Sequence, residues 1–410
     1  MRFLYVSVQE KWDREICKSL EILEQEVRTF SFPEKIRMDE FVILSETNRY
    51  ALVETLQKKD FDFVFSASYI HEVSVFCNML GVLYLSWTFE YPNMDLFRNS
   101  VTNPCNCFFI SDSTEMERLI NLGAENVFYL PAAATQVLEL ESNLPEVALE
   151  EDRKEADETE TIAVEEEGEK EEKEYQVSYI GKIMETDESS FFDENSTLSA
   201  ESRGYLDGLV HCQRIVYGMD LLKDGVPAKV MAELKEKYPL RIPADVIAEE
   251  WEIYIRKWIY DRINSQERLV LLQGIDNVIT VFSDAEKCYR FFSKTKPISG
   301  MDKREDITVA SKINLYIADR QNQNGIGAEI FEIMAQGGFV LCNFCPEMEG
   351  FFVAEEDYVY FEDELDLKQK IRFYLKEEEK RQQIARNGYE KVREEHLIIH
   401  RVEQILQMLL

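Results

Sequence analysis

The chain has 410 residues, 45% apolar and 30% charged, which fits a globular protein large enough for two domains. Its net charge of −33 excludes nucleic acid as the expected partner, because phosphate neutralisation needs a basic surface. No apolar run approaches a membrane-spanning length, and the apolar stretch 3–8 is too short for a signal peptide, so a cytoplasmic location is expected.

The first 135 residues alternate strand and helix. Residues 2–8 read as a β-rich strand, and 13–25 as a helix with Ile16, Leu20 and Leu23 on one face. A strand at 27–32, a helix around 37–59 and a strand at 61–66 follow. Residues 72–80 form a helix stopped by Gly81, then come strands at 82–87 and 107–111. A helix at 113–122 ends at Gly123, and a strand at 127–130 ends at Pro131. Continuous apolar strands in repeated β-α order predict a parallel sheet covered on both faces.

Residues 139–174 carry 17 acidic and 4 basic side chains and almost no aromatics, so they read as a solvated acidic linker or loop. Structure resumes with a strand at 176–181. Helices are expected at 204–222, 226–237 and, long and aromatic, at 243–272. Strands are expected at 278–282, 313–318, 339–344 and 358–361, and three helices at 363–375, 377–394 and 397–410. The aromatic stripe of Trp251, Tyr254 and Trp258 has the spacing of an amphipathic core helix. The expected division is a first Rossmann-like domain at 1–137, the acidic segment at 138–175, and a second Rossmann-like domain at 176–410. A cleft between the two would hold the ligand.

The most informative local pattern is at 325–344: a glycine-opened helix, a Gly337-Gly338 stop and a buried strand. Backbone N–H groups at a helix start hold phosphate. A nearby carboxylate, Glu329 or Glu332, can accept hydrogen bonds from ribose hydroxyls. An ordinary αβ unit with a glycine cap has the same appearance.

The eight cysteines are scattered and read as free thiols. Cys342 and Cys345 have no second pair at metal spacing, and His396 and His400 lack the intervening glutamate of a zinc helix, so no metal is expected. No Ser-His-Asp arrangement or phosphate-binding P-loop is legible.

Several segments, taken in order and spacing, resemble the CgeB-like (spore-maturation-protein-like) bacterial glycosyltransferases. They are 61–66, 77–82, 84–87, 103–110 and 123–131 in the first half. In the second half they are 177–181, 204–208, 311–315, 331–333, 337–341 and the tail from Arg381 to Arg401, with Gly388, His396 and Arg401. The resemblance covers most of the chain. It implies a GT-B fold of two Rossmann-like domains with parallel sheets facing a central cleft. The donor nucleotide would sit in the C-terminal domain and the acceptor would face the N-terminal one, with the last helix crossing back to the first domain. Two positions depart from the family pattern: Gly327 and Glu329 stand where relatives carry proline and arginine. A glutamate there opposes a diphosphate.

The implied activity is transfer of a sugar from a nucleotide-diphosphate donor, expected to be a UDP-sugar, to a protein or glycan acceptor. The leaving diphosphate needs helix N-termini, Lys or Arg to stabilise its growing charge. Expected donor contacts are Gly181, Lys182, Lys312, Arg320, Gly325, Gly327, Glu329 and Glu332, with Glu332 on the ribose. An inverting reaction would also need a general base on the first-domain side. Glu90, His71 and Asp112 are the candidates, since ligands gather at strand C-termini. A catalytically silent GT-B protein that binds nucleotide or glycan, or serves as an assembly partner, is the alternative. A nucleotide-dependent sugar epimerase, which shares this architecture, is a third reading.

Overall fold

A computed structural model of the chain describes all residues except 9, 35–36, 39–40, 136–172, 184–196, 218, 223–224, 284–290, 298–301 and 410. The acidic segment expected as a linker therefore lies almost wholly outside the described residues.

The first sheet has six strands, all parallel: β1 (Arg2–Ser7), β2 (Glu26–Ser31), β5 (Phe63–Ala67), β6 (Leu83–Thr88), β7 (Asn106–Ile110) and β8 (Val127–Tyr129), in the spatial order β2-β1-β5-β6-β7-β8. A two-stranded antiparallel pair, β3 (Arg37–Met38) and β4 (Val42–Ile43), precedes the helix α2 (Glu46–Gln57). Helices α1 (Glu10–Ile22), α3 (His71–Leu80) and α4 (Ser113–Asn121) complete this half. Consecutive buried residues, as in Phe3–Val6, put apolar side chains on both sheet faces.

The second sheet is also six-stranded and parallel: β9 (Tyr175–Ile180), β10 (Ile279–Phe282), β11 (Thr295–Lys296), β12 (Ser311–Tyr316), β13 (Val340–Asn343) and β14 (Val359–Phe361), in the order β11-β10-β9-β12-β13-β14. Between β9 and β10 lie α5 (Ala200–Arg214), α6 (Ala228–Lys237), α7 (Glu250–Tyr254), a π-helical stretch at Ile255–Ile259, and α8 (Tyr260–Gln273). Helix α9 (Asp302–Val309) precedes β12, and α10 (Ala328–Ala335) joins β12 to β13. Helices α11 (Glu364–Tyr374), α12 (Glu378–Glu395) and α13 (Ile398–Met408) end the chain.

Helix α10 stops as its sequence predicts. Gly337 takes φ +70°, where a side chain would be strained, and the N–H groups of Gly337 and Gly338 return to the carbonyls of Met334 and Ile333. The chain then enters β13 directly.

The two halves are not separate cores. Helix α13 packs on α1, and one buried cluster joins Phe3, Tyr5, Ile16 and Leu20 to Phe331, Met334, Val402 and Ile405. A strand-like bridge pairs Ala134 with Leu397, with Ala134 N–H on the His396 carbonyl and Ile398 N–H on that of Ala134. A second contact brings Phe41, Met94 and Phe97 against Ile253.

Three expected helices are markedly shorter than predicted, the first being that expected over 204–222, which is α5 and stops at Arg214. The helix expected over 37–59 begins only at Glu46, after β3 and β4, because Phe41 is buried against Ile253. The long helix expected over 243–272 begins at Glu250, because the preceding stretch is held to the first domain. There Asp245 binds Arg98, and the Ile247 N–H reaches the Phe97 carbonyl.

Candidate functional site

In the second sheet the chain runs outward from β9 to β10 and β11, then crosses to β12 on the other side of β9. Such a reversal opens a crevice at the carboxyl ends of the two diverging strands. Gly181 and Lys182 follow β9 directly, and the register that pairs Leu315 with Tyr179 sets Gly181 level with Ile317. The loop from Ala318 to Gly327 therefore leaves the sheet beside Gly181 and leads into the N-terminus of α10. Glu329 lies in the first turn of α10 and is exposed; Glu332, one turn on, is partly buried.

This brings Gly181, Lys182, Gly325, Gly327, Glu329 and Glu332 to one end of the second sheet. Lys182 is exposed. Gly325 and Gly327 are required by close packing. A Cβ on Gly325 would lie 2.7 Å from the Ser111 carbonyl oxygen, and one on Gly327 would run into the Tyr316 hydroxyl.

Lys312 is not brought to this end. It is the second residue of β12, level with Gln176 in the register, so it sits about 16 Å down the sheet from Gly181 at roughly 3.3 Å per residue. Arg320 is near the crevice, but its guanidinium faces inward. Its Nε and Nη2 each donate to Glu267 at 2.8 Å, Nη2 also to the Arg214 carbonyl at 2.6 Å, and Nη1 to that of Val216 at 3.1 Å. The group also stacks 3.9 Å over the Tyr217 ring. The sequence does not announce Glu267 as a partner, and the pairing leaves Arg320 a loop-holding role in this conformation.

The loop is gripped from several sides. Ala318 N–H donates to Asn343 Oδ1 at 2.7 Å, and Arg320 N–H to Asn264 Oδ1 at 2.8 Å. Asn324 N–H and Gly325 N–H both donate to Asp112 Oδ2, at 3.0 and 2.9 Å. The thiol of Cys345 donates to the Asn324 carbonyl at 3.0 Å. Burial pushes that thiol up to about 12, so Cys345 stays protonated and acts as a donor. A cleft lined by Tyr217, Asp220, Tyr260, Gln323 and Phe344 opens alongside the loop.

The first-domain candidates have distinct surroundings. Glu90 is exposed in the turn after β6. His71 begins α3 directly beyond β5, at the first sheet's own reversal between β1 and β5. Both its ring nitrogens are engaged: Nδ1 lies 2.7 Å from Ser100 Oγ and Nε2 3.2 Å from Asp245 Oδ2. Burial, with Arg98 nearby, lowers His71 to about 4. Asp112 caps α4, where its Oδ1 accepts from Thr114 N at 2.8 Å and Glu115 N at 3.2 Å, while Oδ2 holds the loop of the second domain. Its carboxyl is fully buried, and burial raises its pKa.

Glu332 also meets the first domain. Thr135 Oγ1 lies 3.0 and 2.9 Å from its two oxygens, and Thr135 N–H donates to Oε1 at 3.3 Å. Glu347 mirrors Asp112 from the other side, accepting from Ser113 N at 2.7 Å and from the Tyr129 hydroxyl at 2.6 Å. Among the described residues no group of His, Cys, Asp and Glu could hold a metal ion, and no helix is long and apolar enough to cross a membrane.

A family model described as glycosyl transferase-like matches residues 280–407, from β10 through α13. No curated protein matches the chain. Among solved structures it is similar to the sucrose-phosphate synthase of Thermosynechococcus elongatus, at 11% identity and a TM-score of 0.50, over 100% of this chain and 98% of that one. It is similar to a glycosyltransferase of Rickettsia africae at 11% identity and TM-score 0.50, over 99% of this chain and 97% of that one. It also matches Anabaena HepE, solved in complex with UDP, at 9% identity and TM-score 0.46, over 100% and 99% of the two chains. The fold is therefore GT-B: two parallel-sheet α/β domains of six strands each.

Proposed function

We propose that the chain is a glycosyltransferase that takes a nucleoside-diphosphate sugar at the second-domain crevice. The observation that carries this reading is the convergence of Gly181, the glycine-opened start of α10 and Glu332 at one strand-end reversal of a GT-B fold. Most of that arrangement lies within the stretch matched by the glycosyl transferase-like model. The diphosphate lies beside Gly181, whose own N–H is held by the Phe282 carbonyl, and against the N-terminus of α10, where N–H groups and the helix dipole favour negative charge, with Lys182 beside it. Charge grows on the diphosphate as the anomeric bond breaks, and these donors stabilise it in place. Glu332 accepts the ribose hydroxyls in place of Thr135. For an inverting reaction, Glu90, exposed in the turn beyond the carboxyl end of β6 where ligands of such sheets gather, is the proposed base. His71 is engaged at both nitrogens, and Asp112 is committed to four N–H groups.

Thermal unfolding in the presence of UDP and other nucleoside diphosphates tests this. A ligand that binds only the folded chain raises its midpoint by mass action. The absence of a shift with every nucleoside diphosphate would overturn the reading. Release of labelled sugar from the donor that binds then measures turnover, and an acceptor screen over glycans and proteins follows.

One observation favours the silent alternative. Glu329 projects at the first turn of α10, and Arg320 is spent on Glu267, so little positive charge is left free at the diphosphate. Binding without turnover would select that reading.

A further inference from the structure

We infer that Asn264, in the second turn of α8, is a positioning residue that sets the shape of the loop from Ala318 to Gly325, and through it nucleotide affinity. The affinity part rests on the reading proposed above; the loop part stands on geometry alone.

Asp261, Asn264 and Arg268 recur at helical spacing on α8, with Glu267 beside them, and each meets the loop. Asp261 accepts from Gln321 Nε2 at 3.0 Å. Glu267 holds Arg320 through two hydrogen bonds of 2.8 Å, and Arg268 pairs with Asp319. Three successive loop residues, 319 to 321, are thus held by four side chains of one helix.

Asn264 grips the loop backbone. Its Oδ1 accepts the Arg320 N–H at 2.8 Å, and its Nδ2 donates to Gln321 Oε1 at 2.7 Å. Asn264, Glu267 and Gln321 are 2%, 2% and 3% exposed. Water cannot easily replace a partner removed from such a site, so the freed N–H favours a different loop conformation. The loop leads directly to Gly325 and the start of α10.

The same helical run reaches the first domain. Before α8, the π-helical stretch carries Arg256, which pairs with Glu115 and lies over the Phe97 ring, and Ile253 in α7 packs against Met94 and Phe97. Residues 250–273 form a strut with one end on the first domain and the other on the loop. π-Bulges are frequent where function places such demands on a helix.

Amide hydrogen exchange and UDP titration of Asn264→Ala and Gln321→Ala in the full chain test the inference. Gln321→Ala removes the loop-side amide held by Asn264 and Asp261 and leaves the residues of α8 unchanged, so it serves if Asn264→Ala fails to fold. In both variants exchange should quicken at residues 318–325 while the interior of α8 keeps its protection. UDP affinity should fall about tenfold in Asn264→Ala and less in Gln321→Ala. Loop exchange and affinity both unchanged in the two variants would overturn the inference, as would equal loosening of loop and helix. Failure of the unaltered chain to bind UDP or any other nucleoside diphosphate would overturn the nucleotide reading and the affinity part with it. The exchange comparison alone would then decide whether Asn264 holds the loop.

Discussion

Asp112 in the first domain accepts the backbone N–H of Gly325 in the second at 2.9 Å, while its other oxygen caps α4. One buried carboxylate therefore serves four N–H groups from both halves. Replacing it with alanine strands them. Asp112→Ala should lower stability by about 2–4 kcal/mol, as read by denaturant unfolding, since a lost cap and unsatisfied buried donors each contribute about 1–2 kcal/mol. Stability within about 0.5 kcal/mol of the parent would show that the clamp is dispensable.

Glu332 is bound to Thr135 in this conformation, and the proposed ribose would take the same oxygens. Glu332→Ala should weaken UDP binding by about tenfold or more without unfolding the chain, given the strength of charge-assisted hydrogen bonds. Thr135→Val, which removes the competing hydroxyl, should tighten it. Isothermal titration of both variants checks the pair, and an unchanged affinity in Glu332→Ala removes the ribose assignment.

Gly327 packs where a Cβ would strike the Tyr316 hydroxyl. Gly327→Ala should cost about 1–3 kcal/mol, the range for overpacking a filled site. Adding Tyr316→Phe should recover part of that loss. A double-mutant cycle measures the coupling, and strictly additive effects would show that the clash is relieved elsewhere.

Two imidazoles are held neutral by the fold. Burial, with Arg98, lowers His71 to about 4, and burial, with Arg401, lowers His396 to about 3. The unfolded chain takes up these protons near pH 6.5 and the folded chain only near the lower values. The contribution is therefore complete above about pH 6.5 and drains as pH falls towards 4. Asp95, pushed by burial up to about 6, acts in the opposite sense, losing its contribution as pH rises through that value. Comparison with His396→Gln isolates one imidazole. The variant's stability should fall less steeply between about pH 6.5 and pH 4.5, by at most about 1.4 kcal/mol per pH unit. Parallel curves for parent and variant would show that His396 is protonated in the fold.

Much of the architecture was legible because parallel strands buried on both faces write near-continuous apolar runs, as in Phe63–Phe65 and Val340–Cys342. Strand β11 was missed because two residues carry no periodicity, and α9 because, among the described side chains, it buries deeply only Ile307 and Thr308. The glycine-opened start of α10 was legible as a local pattern. The partners that hold the loop before it were not. Glu267 and Arg320 are 53 positions apart, and Asp112 and Gly325 are 213 apart. No local spacing encodes such pairs, so from sequence Arg320 reads as a contact to the donor and Asp112 as a candidate base.

The interleaving of α13 with α1 has a practical consequence. Val402 and Ile405 belong to the last helix, yet they share a buried cluster with Ile16 and Leu20. Severing the chain between Thr135 and Lys173 would therefore leave two fragments that stay together through purification and melt as one. Either fragment produced alone would lack the surface that shields its apolar face from water, and would precipitate or stay unfolded.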